Sequence, residues 1–168
     1  MNTVIREYRE SDFDACRSLW AELTQRHRDI YEDPAIGGDD PGHGLEGYMA
    51  NAERRVTWVA EMDGKVVGMS GLIMHGEEAE IEPVVVSSQY RSQGIGAALV
   101  QRVIREAKNK GIRFLSVRPV VRNKEAISFF VRLGFNLVGH VDLFQDLSGE
   151  PEREWLSGIA FHGHTLRY

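Results

Sequence analysis

The chain has 168 residues, of which 42% are hydrophobic and 27% are charged. Because this length and composition suit one soluble globular domain with a full hydrophobic core, we predict a single domain over residues 1–168. The formal net charge of -5 at pH 7 disfavours nucleic-acid binding through bulk electrostatics and mildly favours a cationic small substrate.

The cysteine content and the N-terminus bear on the compartment. The single cysteine, Cys16, excludes an internal disulfide and a zinc site built on several thiolates, so a reducing compartment is the default. The N-terminus carries charges where a signal peptide needs an apolar core, and no apolar run approaches the length that spans a bilayer. We therefore predict a cytoplasmic protein with no membrane partner.

The first fifty residues predict a strand, a helix and a long loop. Residues 3–8, "TVIREY", alternate in polarity as a strand does, and Ser11 is placed to cap the helix that follows. One face of that helix is apolar, formed by Phe13, Cys16, Leu19, Trp20 and Leu23. The Gly-, Pro- and Asp-rich stretch 32–47 predicts a loop long enough to be functional or mobile. A short helix is expected over residues 48–52.

Three antiparallel strands are predicted next. "VTWVAEM" (56–62) and "KVVGMSGLIM" (65–74) flank Asp63-Gly64, a pair that strongly favours a two-residue hairpin turn. "AEIEPVVVS" (79–87) then returns as a third strand. Pro83 lies inside it without the N–H that a regular ladder requires, so we expect either a bulge, which would free backbone donors for a ligand, or a strand edge with no ligand nearby.

The rest of the chain alternates helices and strands. A helix from about Gly94 to Lys110 is apolar at every fourth residue and ends at Gly111. "RFLSVRPVV" (113–121) predicts a strand, and Asn123 caps a helix that ends at Gly134. Two further strands are predicted in "FNLVGHVDLFQDL" (135–147) and "LSGIAFHGH" (156–164).

This order of elements predicts an α/β fold with a mixed central sheet, an antiparallel N-terminal meander and one helical crossover in the middle of the sheet. Where a strand leads through a crossover helix into a parallel neighbour, ligands tend to bind at the carboxyl ends of those strands. Residues 86–96 lie at that end.

The glycine turn "RSQGIG" (91–96) allows several interpretations. A dinucleotide-binding fingerprint would need a glycine or alanine at Leu99, a P-loop needs Gly-Lys-Ser/Thr, and a nucleophile elbow needs Gly-x-Ser-x-Gly, so all three are excluded. Two remain: an anion site in which successive backbone N–H groups and the helix dipole hold a phosphate, or an ordinary strand-to-helix turn that needs positive φ.

Two motifs resemble one known family. The stretch 91–97, preceded by "EIEPVVVSSQY", resembles the acetyl-CoA signature of the GNAT superfamily of N-acetyltransferases, Arg/Gln-x-x-Gly-x-Gly/Ala. The stretch "NKEAISFFVRLGF" (123–135) resembles that family's Asn-x-x-Ala helix ending in Gly-Phe. The resemblance implies a GNAT-like acyl-CoA N-acyltransferase fold that binds acetyl-CoA between two splayed parallel strands and transfers the acetyl group to an amine.

The resemblance also implies which residues bind the co-substrate. The N–H groups of residues 93–97 would bind the pyrophosphate, Asn123 the pantetheine arm, and the backbone of residues 84–86 the pantetheine and the thioester carbonyl. The expected cofactor-binding residues are Val84, Val85, Val86, Arg91, Gln93, Gly94, Ile95, Gly96, Ala97, Asn123 and Phe130.

Two carboxylates are candidates for a general base, which is useful because most alkylamines are protonated at pH 7. Glu80 and Glu82 are two residues apart, a spacing that places both on one face of a strand. Glu82, nearer the expected bulge, is the first choice and Glu80 the second; the alternative is that both lie on a solvated face. The family's usual acid for the leaving thiolate is a tyrosine four residues before the glycine of Gly-Phe, and Phe130 occupies that position here.

The remaining expectations concern the acceptor and partners. The acceptor is expected to be a primary amine on a small molecule or peptide; the alternatives are protein N-termini or lysines, and a non-catalytic acyl-CoA-binding module. The acidic residues of the 32–47 loop could attract a cationic amine, although a solvated loop is the alternative. His162 and His164 lack a third ligand, so we predict no metal. A homodimer is expected in this family, with the C-terminal tail as a candidate contact.

Overall fold

The computed structural model describes residues 3–50, 55–145, 147 and 155–168. Its helices and strands are, in chain order, β1 (Thr3–Glu7), α1 (Phe13–Tyr31), α2 (Gly44–Met49), β2 (Arg55–Met62), β3 (Lys65–His75), β4 (Glu78–Val86), α3 (Ile95–Asn109), β5 (Phe114–Ser116), α4 (Lys124–Arg132), β6 (Ser157–Phe161) and β7 (His164–Arg167).

The central sheet has five strands in the order β1-β2-β3-β4-β5. Strands β1 to β4 are antiparallel neighbours, and β5 lies parallel to β4 after the crossover through α3. The β2–β3 turn is made by Asp63 (φ 50°) and Gly64 (φ 78°), the positive-φ pair that a tight hairpin of this kind requires. The predicted mixed sheet with an antiparallel meander and a helical crossover is therefore confirmed.

The sheet has a hydrophobic core on each face. The larger core lies under α3 and α4, and its buried members include Trp58, Ala60, Leu72, Ile81, Ile95, Leu99, Val100, Val103, Ala107 and Phe130. The second core lies under α1 and α2, and its buried members are Cys16, Leu19, Leu45, Tyr48, Val59, Met69 and Val85. The predicted apolar faces of α1 and α3 are thus the faces that these helices bury. Among the described residues no helix has both the length and the apolar character needed to cross a membrane.

The start of α1 differs from the expectation that Ser11 caps it. Ser11 lies inside a 3₁₀ turn (Glu10–Asp12), and Asp12 is the residue that precedes the helix. The Asp12 carboxylate accepts hydrogen bonds from the Arg9 N–H at 2.8 Å and from the Arg6 guanidinium at 2.7 and 2.8 Å. These bonds fix the tight turn before the helix, so the helix begins one residue after Asp12.

Three other elements differ from the predictions. The short helix predicted over 48–52 runs instead over Gly44–Met49, so the loop predicted over 32–47 is shorter at its C-terminal end. The strand predicted over 113–121 is limited to Phe114–Ser116, because only these residues pair with β4. The predicted final strand proves to be a hairpin, β6–β7, with its turn at His162 and Gly163.

The strand predicted in 135–147 is absent from the part of that stretch that the structure describes. Residues 135–145 have no strand neighbour, and the apolar side chains from Leu137 onward are exposed, with Leu137 89% exposed and Phe144 84% exposed. Alternating polarity shows which face of a strand would be buried, but a strand forms only where a neighbour accepts its backbone hydrogen bonds.

Candidate functional site

Strands β4 and β5 pair over three residues and then separate. Glu78, Ala79 and Glu80 lie opposite residues 114–116, whereas residues 81–86 of β4 have no partner in β5. On its other side β4 pairs with β3, but the register shifts between Ser70 and Leu72. Glu82 and Pro83 together lie opposite Gly71, which confirms the bulge expected at Pro83. From the bulge to Val86, β4 therefore has no strand partner among the described residues on its β5 side; this separation of the two strands is called the gap between β4 and β5.

The glycine turn follows this gap and begins α3. Gly94 precedes the helix with φ 81°, in the left-handed region, and no side chain caps the helix N-terminus. The first backbone bond into the helix is donated by the Ala98 N–H to the Gly94 carbonyl at 3.0 Å. The N–H groups of Ile95, Gly96 and Ala97 come before that bond, in the first turn, where a helix supplies no acceptor. Such a helix terminus favours an anion.

Gly96 differs from Gly94, because it lies within the helix and its φ is not positive. A Cβ atom there would lie 3.4 Å from the Phe129 ring and 3.7 Å from Val86. The two glycines thus differ: Gly94 allows the left-handed turn, whereas at Gly96 a Cβ atom would be in ordinary van der Waals contact and neither the backbone conformation nor the space requires glycine.

Two side chains hold the chain between β4 and the glycine turn. The Glu22 carboxylate, on α1, accepts hydrogen bonds from the Ser87 hydroxyl and the Ser88 N–H, both at 2.8 Å. The Arg91 Nε donates to the Val86 carbonyl at 3.0 Å. The end of β4 and the start of the turn are therefore fixed from both sides.

A pocket of about 430 Å³ lies beside the paired part of β4. It is lined by Arg55, Ile73, His75, Glu78, Ala79, Glu80, Glu82, Ser116 and Arg118. In register Glu80 lies opposite Ile73 of β3, which packs against the core under α1 and α2. The structure thus brings the two predicted carboxylates together in one pocket. That volume is within the range of small-molecule sites, about 300–1,000 Å³.

The two carboxylates differ in their surroundings. Glu80 is 7% exposed, whereas Glu82 is exposed. Burial raises the pKa of Glu80 above its ordinary value, against a smaller opposing effect of Arg118. The Arg118 Nη1 lies 3.4 Å from a Glu80 carboxylate oxygen, but its own side chain is 74% exposed. Since water screens such a pair, the desolvation of Glu80 dominates.

Arg55, on β2, also lines this pocket: it lies opposite Ile73 of β3, which in turn lies opposite Glu80 of β4. Arg55 was not identified from the sequence. Its guanidinium carbon lies 3.8 Å from the centre of the Tyr48 ring. Its Nε and Nη1 are buried and have no hydrogen-bond partner among the described residues. Nothing in the sequence distinguishes Arg55 from other arginines, because an unpaired guanidinium is a property of packing.

Asn123 and Phe130 lie on α4. Asn123 caps that helix, its Oδ1 accepting from the Ala126 N–H at 3.0 Å, as predicted. Phe130 is 8% exposed and packs edge-on against Phe129 and Phe135. Its ring belongs to the core under α3 and α4 and offers no proton. The roles predicted for Asn123 and Phe130 toward a co-substrate stay predictions.

The acidic loop after α1 does not contribute to this pocket. Asp40 pairs with Arg17, and Asp33 accepts a hydrogen bond from the Ala35 N–H at 2.9 Å. The carboxylates that line the pocket come from β4 instead. Attraction of a cationic amine by the loop stays a prediction.

The chain matches the family model described as Acetyltransferase (GNAT) family over residues 4–135. It is 39% identical to an uncharacterized N-acetyltransferase of Methanocaldococcus jannaschii over 46% of this chain and 38% of that protein. It is 28% identical to thialysine N-epsilon-acetyltransferase of Mus musculus over 99% of this chain and 96% of that one. The first of these matches spans well under half of the archaeal relative's length.

The fold is also similar to solved structures. The PaiA N-acetyltransferase from Thermoplasma acidophilum, crystallised in complex with coenzyme A, superposes with a TM-score of 0.67 over 80% of this chain and 89% of that one, at 18% identity. A Trypanosoma brucei acetyltransferase superposes with a TM-score of 0.64 over 87% of this chain and 100% of that one, at 24% identity. At these identities the likeness establishes the fold.

Proposed function

Because the chain belongs to the acetyltransferase (GNAT) family, we propose that it transfers the acetyl group of acetyl-CoA to a primary amine of a small molecule or peptide. The observation that carries this proposal is the position of the carboxylate pocket next to the gap between β4 and β5. One strand, β4, lines both, so a thioester in the gap and an amine in the pocket would meet along it. The name of the mouse relative, thialysine N-epsilon-acetyltransferase, supports a small molecule with an amine as the acceptor.

The residues present fit acetyl-CoA as the co-substrate. The uncapped N-terminus of α3, with the N–H groups of residues 95–97, suits the pyrophosphate. The unpaired backbone of residues 84–86, on the β5 side of β4, suits the amides of the pantetheine arm. Arg91, beside the glycine turn, adds a positive charge near the expected phosphates.

We place the proton-accepting role on Glu80. The acceptor must lose a proton before its nitrogen attacks the thioester carbonyl, and a base works best when its pKa lies near the working pH. The raised pKa of Glu80 moves it in that direction. The amine nitrogen then forms the new C–N bond in a ternary complex, the C–S bond breaks, and CoA leaves as the thiolate. Glu82, exposed in the same pocket, is the alternative base.

Protonation of the leaving group does not need a side chain. A thiol with a pKa near that of cysteine, about 8.5, leaves as a thiolate that solvent can protonate. Phe130 at the family's tyrosine position is compatible with this route. The kcat/KM of the protein should then rise with pH without the descending limb that an essential acid imposes.

The alternative is a non-catalytic acyl-CoA-binding module, which Phe130 favours because the usual acid is missing. A panel of amines mixed with acetyl-CoA and the protein separates the two. We expect free CoA thiol and an N-acetylated amine, detected by a thiol reagent and by mass spectrometry. Tight binding of acetyl-CoA with no thiol released by any amine would establish the binding module instead.

A further inference from the structure

Arg55 points to the chemistry of the acceptor. We propose that the acceptor carries a carboxylate as well as the reacting amine, and that Arg55 binds this carboxylate, so that the substrate is an amino acid. The inference rests on the proposed function and narrows the acceptor from amines in general to amino acids. Glu80 and Glu82 would face the amine from β4, and Arg55 would hold the other end of the same molecule from β2.

The first argument is the state of the Arg55 guanidinium. Two of its nitrogens, Nε and Nη1, are buried with no acceptor among the described residues. A buried donor without a partner costs more than an ordinary hydrogen bond contributes, and more still when it is charged. The ring of Tyr48 compensates only in part, because a cation–π contact supplies no hydrogen-bond acceptor. A ligand carboxylate would supply the missing acceptors.

The second argument is that the neighbouring groups do not neutralise Arg55. Burial raises the pKa of Tyr48 to about 12, so the ring beneath the guanidinium carries no charge. Three glutamates line the same pocket, yet within the described residues none of them forms an ion pair with Arg55. Glu80 pairs instead with Arg118, at 3.4 Å. The pocket therefore has carboxylates from β4 and, from β2, an arginine with no ion-pair partner among the described residues.

The third argument is that this arrangement suits a zwitterion. A guanidinium binds a carboxylate through two parallel hydrogen bonds, which fixes the orientation of the ligand. Contact with the Tyr48 ring holds the Arg55 side chain, so less side-chain entropy is lost on binding. An amine without a carboxylate would leave Arg55 unpaired, and the site would discriminate against it.

The test compares acids with their amides. L-Lysine is paired with L-lysinamide, and L-alanine with L-alaninamide, so that both side-chain and α-amines are offered with and without the carboxylate. CoA release is measured for wild type, Arg55→Met and Arg55→Lys. We expect the wild type to prefer the acid of at least one pair, and Arg55→Met to lower kcat/KM for that acid by about 10- to 100-fold, the scale of a hydrogen bond to a charged group. Its kcat/KM for the matching amide should hardly change, and Arg55→Lys should restore part of the loss.

Arg102→Met is the matched control, because Arg102 also lies over an aromatic ring, that of Trp58 at 4.8 Å, but on α3. Its preference for the acid should equal that of wild type. A wild type that acetylates amides as well as acids, or an Arg55→Met variant that loses both alike, would overturn the inference while leaving the acetyltransferase intact. Absence of CoA release with every amine would overturn the proposed function as well.

Discussion

Glu80 and Arg55 carry opposite charges and line one pocket, yet within the described residues they form no ion pair with each other. Glu80 is 7% exposed and is approached by one solvent-exposed arginine, Arg118. Arg55 lies over the Tyr48 ring. Leaving both groups short of partners costs stability, and such costs are typical of binding and catalytic sites.

The first prediction concerns the base. Glu80→Gln should lower kcat by about 10²–10⁴-fold, the range for general-base assistance, because an amide cannot accept the proton. Acetyl-CoA affinity, measured by calorimetry, should stay near that of wild type, because the base acts on the amine. In the wild type, kcat should fall at low pH as Glu80 becomes protonated. This fall should be absent from the pH–rate profile of Glu80→Gln.

Two variants make that measurement decisive. Glu77→Gln is the control, because Glu77 lies in the β3–β4 turn with a 77% exposed side chain that faces Arg113; it should behave as wild type. Glu82→Gln tests the alternative base. A large loss in Glu82→Gln with little change in Glu80→Gln would assign the role to Glu82.

A second prediction concerns stability. Burial raises the pKa of Glu80 above its ordinary value of 4.5, so above that value the folded state binds more protons than the unfolded state. The free energy of unfolding contributed by this group therefore falls as pH rises through the raised pKa. Glu80→Gln removes the cost of burying the charge and should be more stable than wild type at neutral pH.

Urea denaturation at neutral pH and near pH 4.5, the ordinary pKa of this side chain, tests the direction of this change in stability. The advantage of Glu80→Gln should shrink at the lower pH, where the wild-type carboxyl is protonated in the folded protein. A variant less stable than wild type at neutral pH would show that the Arg118 pair outweighs desolvation.

The sequence showed the candidate carboxylates but not how they differ. A spacing of two residues placed Glu80 and Glu82 on one face, and the structure has both in one pocket. Which of them is buried depends on the bulge at Pro83 and on the short pairing with β5. Arg55 could not be identified at all, since its importance lies in the partners that it lacks.

At the scale of elements, α3 and its glycine turn make the prediction that is easiest to isolate. Gly94 (φ 81°) and Gly64 (φ 78°) have nearly the same conformation, and a Cβ atom at either would meet nothing within 4 Å. Gly64 lies in the β2–β3 hairpin turn, away from the expected phosphate site. The pair therefore separates backbone strain from ligand binding.

Gly94→Ala and Gly64→Ala should each lower the free energy of unfolding by about 1–2 kcal/mol, the cost of a left-handed conformation for a residue with a Cβ atom. Only Gly94→Ala should also weaken acetyl-CoA binding, by about tenfold or more, the scale of a lost hydrogen bond, because Gly94 directly precedes the helix N-terminus at which we expect the pyrophosphate. Calorimetry and urea denaturation measure the two effects. Unchanged affinity in a folded Gly94→Ala protein would make the turn purely structural.

The elements that the sequence predicted well are those with their own local pattern. The β2–β3 hairpin follows from Asp63-Gly64, and α3 from apolar residues at every fourth position ending before Gly111. The stretch 113–121 and residues 135–145 have strand-like composition, but their pairing depends on distant neighbours. Only Phe114–Ser116 finds one, beside β4.

At the scale of the whole molecule, several apolar side chains between Leu137 and Leu147 are largely exposed among the described residues. Leu137, Val138, Leu143, Phe144 and Leu147 are 89%, 79%, 74%, 84% and 84% exposed. Exposed apolar surfaces of more than a few hundred Å² are unusual on a monomer and mark interaction sites. A second copy of the chain is the simplest partner for this surface, and a homodimer is also what the family resemblance leads us to expect.

We therefore expect the protein to self-associate through this stretch. Sedimentation equilibrium should show a dimer whose population grows with concentration, and the double substitution Leu143→Glu with Phe144→Glu should shift it to monomer, because burying two carboxylates in an apolar contact is unfavourable. Val4→Glu is the control: Val4 is 49% exposed but lies on β1, an edge strand of the sheet, outside this stretch, and its variant should dimerise as wild type does. A wild type that stays monomeric at all concentrations would contradict self-association through this stretch.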